Sequence, residues 1–292
     1  MKELLFILAA IFLPFSSNAW EACGTDDNGN TANCEYQIVN GTLTIRGVGN
    51  NGSIGNWDQD SGTIAPWRGK GVTNVVIEDS IKDLGSMGFR GITSVNPIEI
   101  PSSITTISGD AFFGVNSSEI IIPDSVTKIK SSAFSWSGLQ KINIPDSVTS
   151  IEGGFRGTNL KDIVIPDSVT SIGNGAFSYC LQLQSITIGE NTQLGKIFTG
   201  FNSDTGFTDI ANLKIYCTGD TEKCDANLVA AGYPDLKSSK ATTKQINGVT
   251  YVYDKNGKLV TSSGHRTEKR IYTIEEANEV AGTKNRVSIT YR

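Results

Sequence analysis

Apolar and polar positions follow a pattern that returns about every 22 residues through the middle of the chain. Each unit opens with a short alternation such as Ile142-Asn143-Ile144, in which two isoleucines face one side and the polar residue faces the other. A proline and a turn-forming Asp-Ser pair follow, and then a second extended segment. The leading isoleucines, 21 to 23 residues apart, are Ile77, Ile100, Ile122, Ile144, Ile165 and Ile188. A constant period of this length predicts a solenoid of stacked turns.

Two further apolar columns repeat with the same period. The second extended segment carries Leu84, Ile107, Ile129, Ile151 and Ile172. A phenylalanine follows each of them, at Phe89, Phe112, Phe134, Phe155 and Phe177. We expect the phenylalanines to fill the interior of the coil. One unit buries too few side chains to offset the entropy cost of ordering it, so the turns must stabilise one another by stacking.

The segment Val169–Ile188 resembles the unit of BspA-type leucine-rich repeats, Ile-Pro-x-x-Val-Thr-x-Ile-Gly-x-x-Ala-Phe-x-x-Cys-x-x-Leu-x-x-Ile. The resemblance covers about residues 72–190. It implies a leucine-rich-repeat solenoid and a role in adhesion or recognition, without naming a ligand. The cysteine of the unit occurs once, at Cys180, and the other units carry Ile92, Val115, Ser137 and Thr158 there. We therefore expect Cys180 to be a buried packing residue and not a nucleophile.

The predicted fold class is mainly β, a right-handed leucine-rich-repeat solenoid with an N-terminal cap and a small C-terminal ββ-βαβ module. The predicted segments are a signal peptide (1–19), a cap (20–71), the solenoid (72–216), a disulfide loop and linker (217–245) and a β-hairpin/βαβ module (246–292). In the last segment we expect a hairpin over Gly248–Ser262, strands Arg270–Thr273 and Arg286–Tyr291, and a helix Ile274–Val280.

The N-terminus predicts secretion. Lys2 precedes the apolar run Leu4–Phe15, and Ser17-Asn18-Ala19 places small residues at a cleavage site. An oxidising compartment favours disulfides, and plausible local pairs are Cys23 with Cys34 and Cys217 with Cys224. A metal site is the weaker interpretation of these cysteines, because the chain has no CxxC motif.

Composition argues against several function classes. The net charge of −5 argues against a nucleic-acid binder that relies on phosphate contacts. The single histidine, His265, leaves little for histidine-dependent catalysis, and P-loop, GxSxG and HExxH motifs are lacking. No catalytic residue, cofactor or metal is predicted. A calcium ladder is the weaker interpretation of the recurrent turn aspartates Asp79, Asp124, Asp146 and Asp167.

Two sets of residues are candidates for ligand binding. The first is the outward column of the leading strand, formed by Val76, Glu99, Ile121, Asn143, Val164 and Thr187. The second is Trp136 and Tyr179, which stand two residues after the repeated phenylalanine where other units have glycine. The alternative is that these residues belong to a solvated sheet face that binds no ligand.

These features predict a secreted or cell-surface binding protein. The expected partner is a protein on a host or neighbouring cell, with a glycan also conceivable. We expect no transmembrane segment in the mature chain. One alternative is a structural spacer or envelope protein whose C-terminal module makes the functional contact. A sugar-stacking pair among Trp20, Trp57 and Trp67 is a further alternative. An enzyme acting on glycans or peptides would need paired carboxylates in a deep pocket.

Overall fold

The structure is a computed structural model that describes residues 19–25, 29–57, 63–198, 212–246 and 249–263. The predicted signal peptide, His265 and the three elements expected after residue 263 lie outside these ranges. In the described part of the chain the strands are β1 (Glu21–Ala22), β2 (Cys34–Val39), β3 (Thr42–Gly47), β4 (Gly52–Ser53), β5 (Asn74–Ile77), β6 (Ile81–Asp83), β7 (Thr93–Ser94), β8 (Ile98–Glu99), β9 (Thr106–Ile107), β10 (Asn116–Ser117), β11 (Glu119–Ile121), β12 (Lys128–Ile129), β13 (Lys141–Ile142), β14 (Ser150–Ile151), β15 (Asp162–Val164), β16 (Ser171–Ile172), β17 (Ser185–Ile188), β18 (Gln193–Leu194), β19 (Lys214–Cys217), β20 (Ser238–Ile246), β21 (Val249–Asp254) and β22 (Leu259–Ser263). The helix α1 (Thr221–Ala230) lies between β19 and β20.

An antiparallel hairpin, β2–β3, adjoins the first turn of the solenoid. Asn40 and Gly41 connect its strands, and both have positive φ angles (50° and 76°), as a tight hairpin turn requires. Strand β3 then pairs in parallel with β5, the leading strand of the first turn. The hairpin therefore occupies the sheet edge that the first turn would otherwise expose.

The leading strands stack in parallel along the solenoid. In the central rungs Ile98 lies beside Ile120, which lies beside Ile142. In the last rungs β15, β17 and β19 continue the same arrangement. The last, irregular rung predicted around Leu213–Ile215 is confirmed, because β19 forms it.

The second extended segments form a parallel sheet of their own. Its strand order is β18-β16-β14-β12-β9, and the isoleucines of the second column lie side by side within it. These isoleucines are buried. The predicted second column is therefore confirmed as one wall of the core.

The repeated phenylalanines form a stacked ladder through the interior. All five are fully buried. Consecutive ring centroids lie 5.0, 5.7, 5.4 and 5.7 Å apart, with interplanar angles of 3° to 14°. The ladder confirms the expected interior position and gives each rung a contact with both neighbours.

Hydroxyl groups add a second set of contacts between rungs, which the sequence analysis did not predict. The serine of each Ile-Pro-Asp-Ser-Val turn donates a hydrogen bond to a carbonyl one rung earlier. The three bonds are Ser125 to Ile104 (2.6 Å), Ser147 to Val126 (2.6 Å) and Ser168 to Val148 (2.8 Å). Each serine therefore satisfies a carbonyl acceptor in the preceding coil.

The C-terminal strands extend the leading sheet and fold it over. β20 pairs with β19, β21 pairs with β20, and β22 pairs with β21 and also contacts β15. The curled sheet encloses a small second core of Val164, Ala241 and Val252, with Tyr216 and Val260 packed against it. The hairpin predicted over Gly248–Ser262 is confirmed as β21–β22.

The segment 217–245, predicted to be a loop and linker, differs from that expectation. It contains α1 and most of β20. The helix begins because the Asp220 side chain accepts a hydrogen bond from the Glu222 backbone N–H, a standard N-cap. β20 is ordered because its backbone pairs on both sides, which outweighs its polar composition. The other segment boundaries stay predictions.

Candidate functional site

The outward column of the leading strands is exposed at only one end of the solenoid. Val76 is 43% exposed and Glu99 is exposed, while Ile121 and Asn143 are half-buried. Further along, Val164 is only 4% exposed and Thr187 is fully buried. We expected one continuous accessible face, and that expectation is wrong for the last two positions.

The hairpin β21–β22 and strand β20 cover Val164. Val164 packs against Ala241 and Val252, on strands that follow it by about 80 residues. Gln245 Nε2 donates a hydrogen bond of 2.8 Å to Asp146 Oδ2, which ties β20 to a turn of the solenoid. The chain itself therefore occupies this part of the face, and four of the six predicted positions remain accessible.

Trp136 and Tyr179 come together although 43 residues and two rungs separate them. Their ring centroids are 5.5 Å apart at an interplanar angle of 41°. Arg156, from the rung between, places its guanidinium carbon 4.6 Å from the Tyr179 ring and 5.8 Å from the Trp136 ring. Trp136 is 49% exposed, so the three side chains form an accessible cluster.

The backbone at Trp136 and Tyr179 is strained. Their φ angles are 58° and 61°, in the left-handed region that glycine favours. The equivalent glycines have the same conformation, at Gly91 (73°), Gly114 (66°) and Gly157 (68°). A side chain at a left-handed position costs about 1–2 kcal/mol, so two large aromatics here oppose the preference of the fold.

The glycines in this column make room for large side chains from the preceding rung. A Cβ on Gly157 would lie 2.6 Å from the Trp136 ring, so the indole lies directly on that glycine. A Cβ on Gly114 would lie 3.4 Å from Arg90 Cγ, and a Cβ on Gly91 would lie 3.7 Å from Arg68 Nε.

A band of arginine and aromatic side chains therefore runs along one edge of the solenoid. We call it the edge stripe, and it consists of Arg68, Arg90, Phe113, Trp136, Arg156 and Tyr179. Arg90 lies 5.1 Å from the Phe113 ring and continues the stacking. The sequence pattern predicted the two aromatics but not the arginines. Their signal was present, because Arg90, Phe113 and Arg156 each follow the repeated phenylalanine directly.

Two titratable groups beside the edge stripe have raised pKa values. Burial raises the pKa of the Asp110 carboxyl, which lies in the turn before Phe112. Burial also raises the pKa of the Cys180 thiol, which contacts the Phe155 carbonyl at 3.0 Å and Thr158 Oγ1 at 3.3 Å. Cys180 is fully buried, which confirms that it is a packing residue.

The other candidates have structural partners. Asp79 accepts a hydrogen bond from Ser102 of the next rung, and Asp167 accepts one from Thr218. In the described residues no group of three or more histidine, cysteine, aspartate or glutamate side chains could hold a metal ion. Both predicted disulfides, Cys23–Cys34 and Cys217–Cys224, are present.

Two of the three tryptophans near the N-terminus, Trp57 and Trp67, are core residues. Trp67 is fully buried and donates a hydrogen bond of 2.7 Å from Nε1 to the Gly88 carbonyl. Trp57 and Tyr36 pack edge-on against it. The alternative of a sugar-stacking tryptophan pair is therefore wrong. Trp57 and Trp67 are both buried, and only Trp20, which lies 3.8 Å from the Arg46 guanidinium, is partly accessible.

A cleft of about 320 Å³ lies between the solenoid and the C-terminal strands. Asp146 and Asp167 line it, together with Gln245, Thr218 and Thr250. Both carboxylates lie in the cleft, but each already accepts a hydrogen bond from a neutral side chain that crosses it or borders it. These bonds hold the turns against the neighbouring strands.

No helix in the described ranges combines the length and apolar character that a membrane crossing demands.

Comparisons with known proteins agree with the repeat pattern. Residues 67–183 and 152–203 match the family described as "BspA type Leucine rich repeat region", in six copies. No curated protein matches the chain.

Several solved structures are similar to the chain. A leucine-rich repeat protein from Eubacterium ventriosum is 19% identical, with a TM-score of 0.41, over 77% of this chain and 47% of that one. A leucine rich cell surface protein from Faecalibacterium prausnitzii is 22% identical, with a TM-score of 0.35, over 79% of this chain and 59% of that one. The leucine-rich repeat protein of T. pallidum is 20% identical, with a TM-score of 0.34, over 70% and 95%. The chain spans about half the length of the first two.

The period, the stacked phenylalanine ladder and the family match lead to one conclusion. Residues 67–203 of this chain form a BspA-type leucine-rich repeat region.

Proposed function

We propose that this chain is a secreted or cell-surface, non-enzymatic binding protein that recognises a protein partner through the accessible side of its solenoid. The observation that carries the proposal is the pair of exposed Trp136 and half-buried Tyr179, held at backbone positions where other rungs have glycine. Retaining large aromatics at strained, accessible positions is typical of interface centres. The predicted signal peptide and the two disulfides support an extracytoplasmic location.

The open end of the outward column adds a second part to the proposed surface. Val76 and Ile121 present apolar side chains among polar ones, next to Glu99 and Asn143. Val164 drops out of this surface because the C-terminal strands cover it, and Thr187 drops out because it is fully buried.

The test is capture of cell-surface proteins by the mature chain, followed by affinity measurement for each captured partner. We expect the double variant Trp136→Ala/Tyr179→Ala to weaken at least one partner about tenfold or more. Ile121→Lys tests the sheet surface separately. Lys128→Ala, on the second sheet away from both surfaces, is the control. If both sets of variants bind every partner as the wild type does, the proposal is wrong.

A structural spacer is the second candidate function. The hydrogen bond between Gln245 and Asp146 favours it, because it joins the C-terminal strands firmly to the solenoid. Truncation after Ser263 discriminates the two, since it leaves β20–β22 in place over Val164. Loss of surface retention with unchanged partner binding would assign retention to the residues after 263 and recognition to the solenoid.

A further inference from the structure

We propose that the edge stripe binds an extended acidic segment of the partner protein, with carboxylates on the arginines and an apolar side chain on the Trp136–Tyr179 pair. This inference rests on the proposed function and specifies the chemistry of the partner.

Charge is segregated around the solenoid, and the stripe lies on its basic side. From two residues before the repeated phenylalanine to four after it, the five rungs contain Asp110 as their acidic residue. The recurrent aspartates Asp79, Asp124, Asp146 and Asp167 stand in the turn after the leading strand instead. A chain of net charge −5 thus keeps an arginine-bearing strip nearly free of carboxylates. Such a strip attracts an acidic partner.

Arg68 and Arg90 keep donors for a ligand. The ion pairs formed by described residues use Arg46, Lys70, Lys223 and Lys237, and neither Arg68 nor Arg90 takes part in one. Arg90 Nη1 donates to Met87 Sδ at 3.8 Å, and a thioether sulfur is a weak acceptor. A guanidinium carries five N–H donors, so both arginines retain donors that can grip a carboxylate.

The stripe is also pre-organised. Gly91, Gly114 and Gly157 provide the flat floor on which Arg68, Arg90 and Trp136 rest. Side chains that are already held lose less conformational entropy when a ligand binds. The arrangement therefore favours binding over mere solvation of long side chains.

The spacing defines the ligand. Rungs lie about 4.8 Å apart, so Arg68 and Arg156, four rungs apart, are separated by roughly 19 Å along the axis. An extended peptide advances about 3.3 Å per residue, which places acidic residues roughly six positions apart. The apolar residue belongs near one end of that span, beside Trp136 and Tyr179.

The experiment uses the mature chain and a labelled peptide of about 12 residues that carries two glutamates about six positions apart and a leucine beside one of them. A second peptide has glutamine in place of every glutamate. We expect the glutamate peptide to bind, to bind about tenfold or more tighter than the glutamine peptide, and to weaken as salt rises from about 50 to 500 mM. Arg90→Glu/Arg156→Glu should abolish this preference.

The matched control is Lys128→Glu/Lys130→Glu, which changes the net charge equally at two exposed positions on the other sheet. It should leave peptide affinity within about twofold of the wild type. The softer pair Arg90→Gln/Arg156→Gln, checked for unchanged thermal unfolding, removes the charge without adding repulsion. Equal binding of both peptides, or equal losses in stripe and control variants, would overturn the inference.

Two further outcomes separate this inference from the proposed function. If a captured partner depends on Trp136 and Tyr179 but not on Arg90 and Arg156, the acidic-segment inference fails and the proposed function stands. If a sulfated polysaccharide binds the stripe and the glutamate peptide does not, the stripe recognises a polyanionic glycan and the inference is wrong.

Discussion

Two aromatic columns run along this solenoid only two residues apart in each turn, and they serve opposite purposes. The phenylalanine column is fully buried, and its rings stack nearly parallel within 14°. The next column is accessible, mostly glycine, and carries aromatics only at Trp136 and Tyr179, tilted by 41°. A residue that recurs in every rung stabilises the stack. A residue that departs from the repeat indicates a surface with a role other than stacking.

The largest expected effect comes from breaking the buried column. Phe112→Ala removes a fully buried ring that stacks on Phe89 at 5.0 Å and on Phe134 at 5.7 Å. We expect a loss of about 3–5 kcal/mol in the free energy of unfolding, because a cavity opens between rungs. Denaturant unfolding followed by circular dichroism measures it.

The control for Phe112→Ala is the same substitution at the next residue, Phe113. Phe113→Ala removes the same number of atoms from a half-buried ring on the edge stripe, and we expect a loss of about 1–2 kcal/mol. Comparable losses in the two variants would mean that the two columns do not differ in their contribution to stability.

An intermediate effect is expected from adding one carbon to the glycine floor. Gly157→Ala strains a backbone with φ of 68° and places Cβ 2.6 Å from the Trp136 ring, so the indole must move. Gly91→Ala has the same strain (φ 73°), but its nearest neighbour is Arg68 Nε at an ordinary 3.7 Å. Each of these two variants should lose about 1–2 kcal/mol in the free energy of unfolding.

Only Gly157→Ala should change the acrylamide quenching of tryptophan fluorescence and the binding of a partner that requires Trp136. If Gly91→Ala changes these two properties equally, backbone strain alone explains the effect and the indole does not rest on Gly157.

The buried phenylalanine column could be predicted from the sequence. The cover over Val164 and the arginines of the edge stripe could not. The interior position of Phe112 could be predicted because a phenylalanine recurs at the same position in all five rungs. The cover over Val164 escaped prediction because it depends on contacts such as Gln245 to Asp146, 99 residues apart, which no period encodes. The arginines of the stripe escaped for the opposite reason. Arg90 and Arg156 occupy a repeated position irregularly, so they look like surface variation until the rungs are stacked.

A smaller effect is expected when the exposed column is returned to the repeat. Trp136→Gly relieves about 1–2 kcal/mol of left-handed strain and loses a similar amount through lost contacts with Gly157 and Arg156 and the greater freedom of glycine. We expect the free energy of unfolding to change by less than about 1 kcal/mol, while partner affinity falls about tenfold or more. A loss of stability as large as that of Phe112→Ala would make Trp136 a core residue and remove it from the binding surface.

The smallest expected effect is at Cys180, the residue directly after Tyr179 in the chain. Tyr179 is half-buried, and Cys180 is fully buried against the Phe155 carbonyl, so burial becomes complete within one peptide unit. Burial raises the pKa of the Cys180 thiol, so even less thiolate forms at mildly alkaline pH than at an exposed cysteine. We expect no maleimide labelling of the native chain at about pH 8 and one labelled cysteine after unfolding without reductant, with the two disulfides intact. Rapid native labelling would show that this edge of the solenoid opens, and the accessible column could not then be the rigid platform that the edge stripe requires.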